Sequence, residues 1–248
     1  MAWGKKLLHS LVVWARMLRQ KEELKKSLEN FRLSIPDVTH LRILVAGQIG
    51  AGKSSFINSV NNADLPFEIC DVMGLEPDKL SVCQPDDIVK TIFGHVKEGY
   101  TEKPLSNEDE HYKETPSLSD QAFCLVYIID GSRIQLSAGN KIFTEKLRII
   151  RQKISDNGIP QVIVMTKIDE ACPLVNKDLK KVYTSKIIKE RMEFCKNIVG
   201  VPMNSIFPVK NYHDEIDPDD LVDVLILKAF EQIVRFANAR LRRGASNE

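Results

Sequence analysis

The stretch Leu41-Arg42-Ile43-Leu44-Val45-Ala46-Gly47-Gln48-Ile49-Gly50-Ala51-Gly52-Lys53-Ser54-Ser55 decides the fold. It opens as an apolar run of strand length. Gly47 to Ser54 then fit the pattern G-x-x-x-x-G-K-[ST], and a helical stretch follows. Glycines in such a loop let the backbone curl until consecutive N–H groups surround phosphate oxygens, and the first turn of the next helix adds positive potential. Gly47, Gly50, Ala51 and Gly52 are therefore assigned to a phosphate cradle and Lys53 to the β- and γ-phosphates. The hydroxyl of Ser54, beside Ser55, is assigned to a Mg²⁺ ion, which prefers oxygen ligands. A simple glycine turn with a solvated lysine would need neither the strand before nor the helix after.

Outward from this loop, short apolar runs alternate with helical patterns, the signature of βαβ units and a parallel sheet. The runs are Leu41–Ala46, Phe67–Cys70, Ala122–Ile129, Gln161–Met165 and Ile206–Val209. Helices are expected near Ser54, near Pro85 with Asp86 and Asp87 in the first turn, and from Gly139 to Asp156 before the Asn157-Gly158 stop. Two more are expected from Lys177 to Ile198, and from Pro218 to Arg242-Arg243-Gly244. The fold class that follows is α/β: a P-loop NTPase of G-domain type, a three-layer sandwich with a mainly parallel sheet of about five strands and helices on both faces. Residues 1–36 read as an amphipathic helix and linker, 37–243 as the P-loop domain, and 244–248 as a disordered tail. The stretch from Gly99 to Ser119 reads as a polar, acidic loop.

Phosphates do not distinguish ATP from GTP, so the base is read elsewhere. Thr166-Lys167-Ile168-Asp169 follows the strand Gln161–Met165, at the carboxyl end of the sheet where ligands of such folds collect. A carboxylate there accepts from the N1–H and the 2-amino group of guanine. Adenine lacks this pair of donors and would leave Asp169 unpaired. The stem of Lys167 can lie along the base, and Lys210-Asn211, after the run Ile206–Val209, stand where a GTPase backbone caps the guanine carbonyl. Asp71-Val72-Met73-Gly74 supplies a D-x-x-G at a strand end: Asp71 for Mg²⁺ through a water, the Gly74 N–H for the γ-phosphate.

Two features limit the chemistry. Between Ser54 and Asp71 there is no Thr and no space for the extra strand and flexible switch I loop that GTPases place there. The run Phe67–Cys70 is then an edge strand, which Pro66 and Glu68 suit. Leu75 follows Gly74 where a water-orienting Gln stands in Ras-like proteins, and a leucine cannot hydrogen-bond a nucleophile. Hydrolysis is expected to be slow or absent, a weak GTPase at most with no catalytic residue assigned, and GDP and GTP are expected to bind with little discrimination.

Composition excludes several other classes. With 248 residues, 35 Lys+Arg against 34 Asp+Glu, 43% hydrophobic and 28% charged residues, the chain is an ordinary globular protein with no basic excess for nucleic acid. Cys70, Cys83, Cys124, Cys172 and Cys195 are odd in number and form no C-x-x-C, as expected of reduced thiols in the cytoplasm. The five histidines are isolated. Leu7, Leu11, Trp14 and Leu18 recur at helical spacing, but His9, Ser10, Arg16 and Arg19 interrupt the apolar run, so it is neither a secretory signal nor a membrane span. That helix can pack on the following domain, on a partner protein or on a membrane surface. The acidic residues Asp214, Glu215, Asp217, Asp219 and Asp220 read as a helix cap and a solvated face rather than a cation site.

Within the stretch from Leu41 to Phe236 stand Ala51-Gly52-Lys53-Ser54-Ser55-Phe56-Ile57-Asn58-Ser59-Val60, Leu65-Pro66-Phe67-Glu68-Ile69-Cys70-Asp71-Val72-Met73-Gly74-Leu75 and Pro208-Val209-Lys210-Asn211-Tyr212. With these strings the stretch resembles the GTPase-like domain of the interferon-induced protein 44 and 44-like family. The resemblance implies a cytoplasmic, interferon-responsive protein of immune or antiviral response, with a P-loop fold and guanine-nucleotide binding through Lys53, Ser54, Asp71 and Asp169. Family members usually carry an amino-terminal TLDc-type domain and a longer segment before the D-x-x-G, so a shortened paralogue or isoform is expected. The leading reading is a guanine-nucleotide-binding regulatory protein with a protein partner. A nucleotide-impaired interaction module, a P-loop kinase or ATPase, and a membrane-associated assembly protein are the alternatives.

Overall fold

Strands β1 (Leu41–Gly47), β3 (Cys124–Asp130) and β4 (Gln161–Thr166) are buried along nearly their whole length. Their unbroken apolar runs suit central strands of a parallel sheet covered on both faces. The computed structural model describes residues 19–33, 35, 38–60, 66–71, 85–97, 100, 105–134, 141–213, 215 and 217–245. Among them β2 (Phe67–Asp71) and β5 (Ile206–Pro208) complete a five-stranded, all-parallel sheet of order β2-β1-β3-β4-β5. This is the P-loop α/β fold expected from the sequence.

The order places β2 at an edge, directly against β1, with Leu41 opposite Phe67 and Val45 opposite Asp71. Glu68 is held on that edge by Arg42 of β1 at 3.0 Å, and the Pro66 carbonyl accepts from Leu41 N at 2.9 Å. A charge and a proline are what an edge strand carries. Helix α1 (19–29) precedes the sheet. Helix α2 (Lys53–Val60) follows β1, and α8 (Asp220–Ala245) packs on α2 and on β1, β3 and β5. Helices α3 (Pro85–Ile92), α4 (Lys141–Ser155) and α7 (Lys186–Val199) pack in a row as the second helical layer, which right-handed βαβ crossovers place on the other face. None of the described helices is long and apolar enough to cross a membrane.

Residues 19–29 settle on the domain itself. Leu24 and Leu28 are buried, and Phe31 meets Phe67 at 5.2 Å, which in turn meets Phe230 of α8 edge-on at 5.4 Å. Lys21 reaches Asp220 and Asp223 of α8 at 2.7 and 2.6 Å. The apolar positions Leu7, Leu11, Trp14 and Leu18 lie outside the described residues.

Three expectations need correction. The continuous helix expected from Lys177 is broken: α5 (Ile168–Ala171), α6 (Pro173–Lys177) and a 3₁₀ segment (Leu179–Thr184) precede α7. Asp178 accepts from Lys180 N and Ser185 from Ile188 N, so each side chain competes for backbone donors and starts a new element. The stretch from Gly99 is more than a solvated loop, because Leu105 is buried, its N–H donates to the buried Asp87 at 3.1 Å, and Val96 bridges Tyr112. The acidic run is more than a cap: Asp219 caps α8 through Leu221 N at 2.7 Å, but Asp220 binds Lys21 and Glu215 binds Lys210 at 2.6 Å. Asp214 lies outside the described residues. The stop at Asn157-Gly158 is as expected, with Gly158 at φ 66° and its N–H on the Ser155 carbonyl.

Candidate functional site

The phosphate loop joins the end of β1 to the start of α2. Gly47 faces Ile128 of β3 so closely that a Cβ would stand 2.3 Å from its carbonyl oxygen, which fixes a glycine at the loop's entry. Gly50 and Gly52 take left-handed angles, φ 75° and 88°, which only glycine adopts without strain. The loop is anchored from behind. The buried Thr166, at the end of β4, donates its hydroxyl to the Ala51 carbonyl at 2.6 Å. Asn211, after β5, donates its amide to the Gly52 carbonyl at 2.9 Å.

Lys53 folds its ammonium back over the loop, onto the carbonyls of Gly47 and Gln48 at 3.1 and 3.3 Å. Ser54 and Ser55 stand exposed on the first turn of α2. A positive side chain, a helix start and left-handed glycines therefore converge on one concave surface, the chemistry that receives phosphate.

The opposite wall comes from β4 and β5. Lys167 is left-handed at φ 54°, and its ammonium meets Asp130 at 2.8 Å. Asp130 closes β3 and is 5% exposed; it also accepts from the Ser132 N–H and hydroxyl at 2.9 and 2.6 Å. Burial pushes the Asp130 carboxyl up, but the Lys167 ammonium and the Ser132 donors outweigh it and hold it below the ordinary carboxylate range. Lys210 pairs with Glu215, which keeps the Lys210 ammonium above its usual value, with the negative charge of Asp169 adding to the effect. Glu215 is drawn down to about 2 by the His213 N–H and by Lys210.

The cleft between these walls has a volume of about 740 Å³, inside the range of ligand pockets. It brings together Gly50, Gly52, Lys53, Ser54, Ser55, Lys167, Asp169, Lys210 and Asn211. Gly47, Ala51 and Thr166 stand behind it as supports rather than in its lining. Asp71 ends β2 and is not part of the lining; partial burial raises its carboxyl, opposed by the charge of Lys53. Gly74 and Leu75 lie outside the described residues. The lining also includes Ile49, Glu170, Tyr212, His213 and Glu215, none of which the sequence reading assigns to the site. The buried support Asp130 had a signal in the sequence, an acidic residue closing an apolar run before Gly131-Ser132.

Among known proteins, no family model matches the chain. Human interferon-induced protein 44-like is 26% identical over 263 aligned residues, which cover 90% of this chain and 58% of that protein. Human interferon-induced protein 44 is 27% identical over 234 residues, 79% and 52% of the two chains. Its mouse counterpart is 26% identical over 238 residues, 81% and 56%. The resemblance to these proteins therefore extends over most of the chain, which spans about half the length of the relatives it matches. Among solved structures, the probable GTP-binding protein engB superposes with a TM-score of 0.42 at 15% identity, over 78% of this chain and 98% of its own. The small COPII coat GTPase SAR1 of Encephalitozoon cuniculi, in complex with GDP, gives 0.44 at 9%, over 98% and 96%.

Proposed function

We propose that this chain is a guanine-nucleotide-binding regulatory protein. One observation carries the reading: the same cleft is lined by Lys53 and the start of α2, which we take as its first end, and by Lys167, Asp169 and Lys210, which we take as its second. The first end suits phosphates. The second offers a carboxylate to a base edge with two donors, which guanine has and adenine lacks.

A divalent ion fits the donors in part. No group of three or more His, Cys, Asp or Glu that could hold a metal occurs among the described residues. Ser54 and Asp71 offer hard oxygen, and such a sparse set suits Mg²⁺, which keeps waters and takes phosphate oxygens. Bound there with the nucleotide, the ion would neutralise phosphate charge. Lys53 orients the phosphates, Asp169 selects the base, and Thr166 and Asn211 hold the loop in shape. The direct pairing of β2 with β1 and the leucine at position 75 support slow or absent hydrolysis and similar affinity for GDP and GTP. The names of the relatives, interferon-induced proteins, support an interferon-linked role; immune or antiviral response through a protein partner is our extension of that reading. Among the described residues the buried thiols of Cys124, Cys172 and Cys195 form no disulfide, which supports a cytoplasmic site of action.

Titration with fluorescent GTP, GDP and ATP analogues in Mg²⁺ tests this. Guanine-selective binding that Lys53→Ala and Asp169→Asn both remove is the expected result. ATP preference would point to a kinase or ATPase. Absence of binding at micromolar concentration would point to a nucleotide-impaired interaction module.

A further inference from the structure

The wall of the cleft formed by Lys210, Asn211 and Tyr212 is fastened to α8 by Tyr212. Its hydroxyl donates to Asp223 Oδ1 at 2.7 Å and accepts from the Asp219 N–H at 2.8 Å. Asp223 lies in the first turn of α8, where helix capping does not require it, since Asp219 already supplies the cap. Its second oxygen, Oδ2, is held at 2.6 Å by Lys21 of α1, whose ammonium also binds Asp220 at 2.7 Å. One carboxylate thus joins the N-terminal helix to a residue lining the cleft. The packing around the link is firm: Leu24 and Leu28 are buried, and Ser27 donates to Glu231 of α8 at 3.0 Å.

We propose that Lys21 is a positioning residue for the cleft: through Asp223 and Tyr212 it holds the wall that meets the base, so that α1 and a bound guanine nucleotide stabilise each other. The proposal rests on the guanine reading given above. Its physical basis is the loss of an ordering cost. With Tyr212 tethered, the loop carrying Lys210 and Asn211 is ordered before a ligand arrives, and a ligand that needs the loop ordered binds more tightly. Linkage then requires the reverse effect, protection of α1 by nucleotide.

The full chain is compared with Lys21→Met, Lys21→Arg and Tyr212→Phe. Without nucleotide, hydrogen exchange of the amides of 209–213 should quicken in Lys21→Met and Tyr212→Phe, recover in Lys21→Arg, and leave β1 and β4 unchanged. Unaltered exchange at 209–213 in Lys21→Met overturns the link whatever the ligand. With a fluorescent GDP analogue, Lys21→Met should bind about fivefold or more weakly than wild type, with Lys21→Arg near normal, and the nucleotide should slow exchange across 19–29. Equal affinity in wild type and Lys21→Met overturns the coupling while leaving guanine binding standing. A wild-type protein that ignores guanine nucleotide overturns the reading of the site and the affinity half of the proposal, and the exchange comparison still decides the mechanical half. Tyr212→Phe leaves α1 and its lysine intact, so the test does not depend on Lys21 variants folding.

Discussion

The side-chain amide of Asn211 donates to the carbonyl of Gly52 at 2.9 Å, across 159 residues of chain. The contact is so close that a Cβ on Gly52 would stand 2.6 Å from the Asn211 nitrogen. The glycine loop is therefore shaped by a side chain that follows β5 as well as by its own glycines.

Gly52 and Gly50 should differ sharply on substitution. Gly52→Ala meets both a φ of 88° and the Asn211 amide, whereas Gly50→Ala meets a φ of 75° but open space. Gly50→Ala should cost about 1–2 kcal/mol of backbone strain and retain some binding. Gly52→Ala should lose it, as isothermal titration with GDP will show; equal behaviour of the two would refute the Asn211 contact.

Thr166→Val keeps the shape of a fully buried side chain but removes the hydroxyl that serves Ala51. The unpaired carbonyl should lower stability by about 1–3 kcal/mol in urea denaturation and weaken nucleotide binding in parallel.

The Lys210–Glu215 pair at 2.6 Å should fail in acid. Glu215 is held at about 2, below its ordinary 4.5, so its contribution is in force above 4.5 and is lost as the pH falls through about 2. The stability difference between wild type and Glu215→Gln, measured by thermal melts from pH 7 downward, should shrink across that window and vanish below it.

Asp169→Asn exchanges an acceptor for a donor within the same outline. Guanine nucleotides should then bind at least about tenfold more weakly, and xanthine nucleotides, with a carbonyl in place of the 2-amino group, should gain affinity. Competition against a fluorescent GDP analogue reads both. Unchanged guanine affinity would move the base away from Asp169.

The central strands and the loop were legible because each is local: an apolar run without alternation, a glycine pattern, a lysine and serine at its end. What escaped was the pairing of distant side chains. Asp130 lies just past the apolar run Ala122–Ile129 and drew no reading from the sequence, yet it neutralises Lys167, 37 residues away. Asp220 reads as part of a helix cap and solvated face, yet it and Asp223 hold Lys21. The break before α7 escaped for a different reason: apolar spacing runs through 177–198, while two short side chains, Asp178 and Ser185, redirect the backbone donors.

The anchors of the loop have a consequence for the order in which the molecule is made. Domains emerge amino-terminal part first during synthesis, so the glycine loop leaves the ribosome long before Thr166 and Asn211, its two later supports. A nascent or truncated chain that stops short of β5 carries the complete phosphate signature with one support absent. The site is finished last although its most recognisable part is made early, and nonsense or splice variants that end in this region should retain the motif and lose the grip.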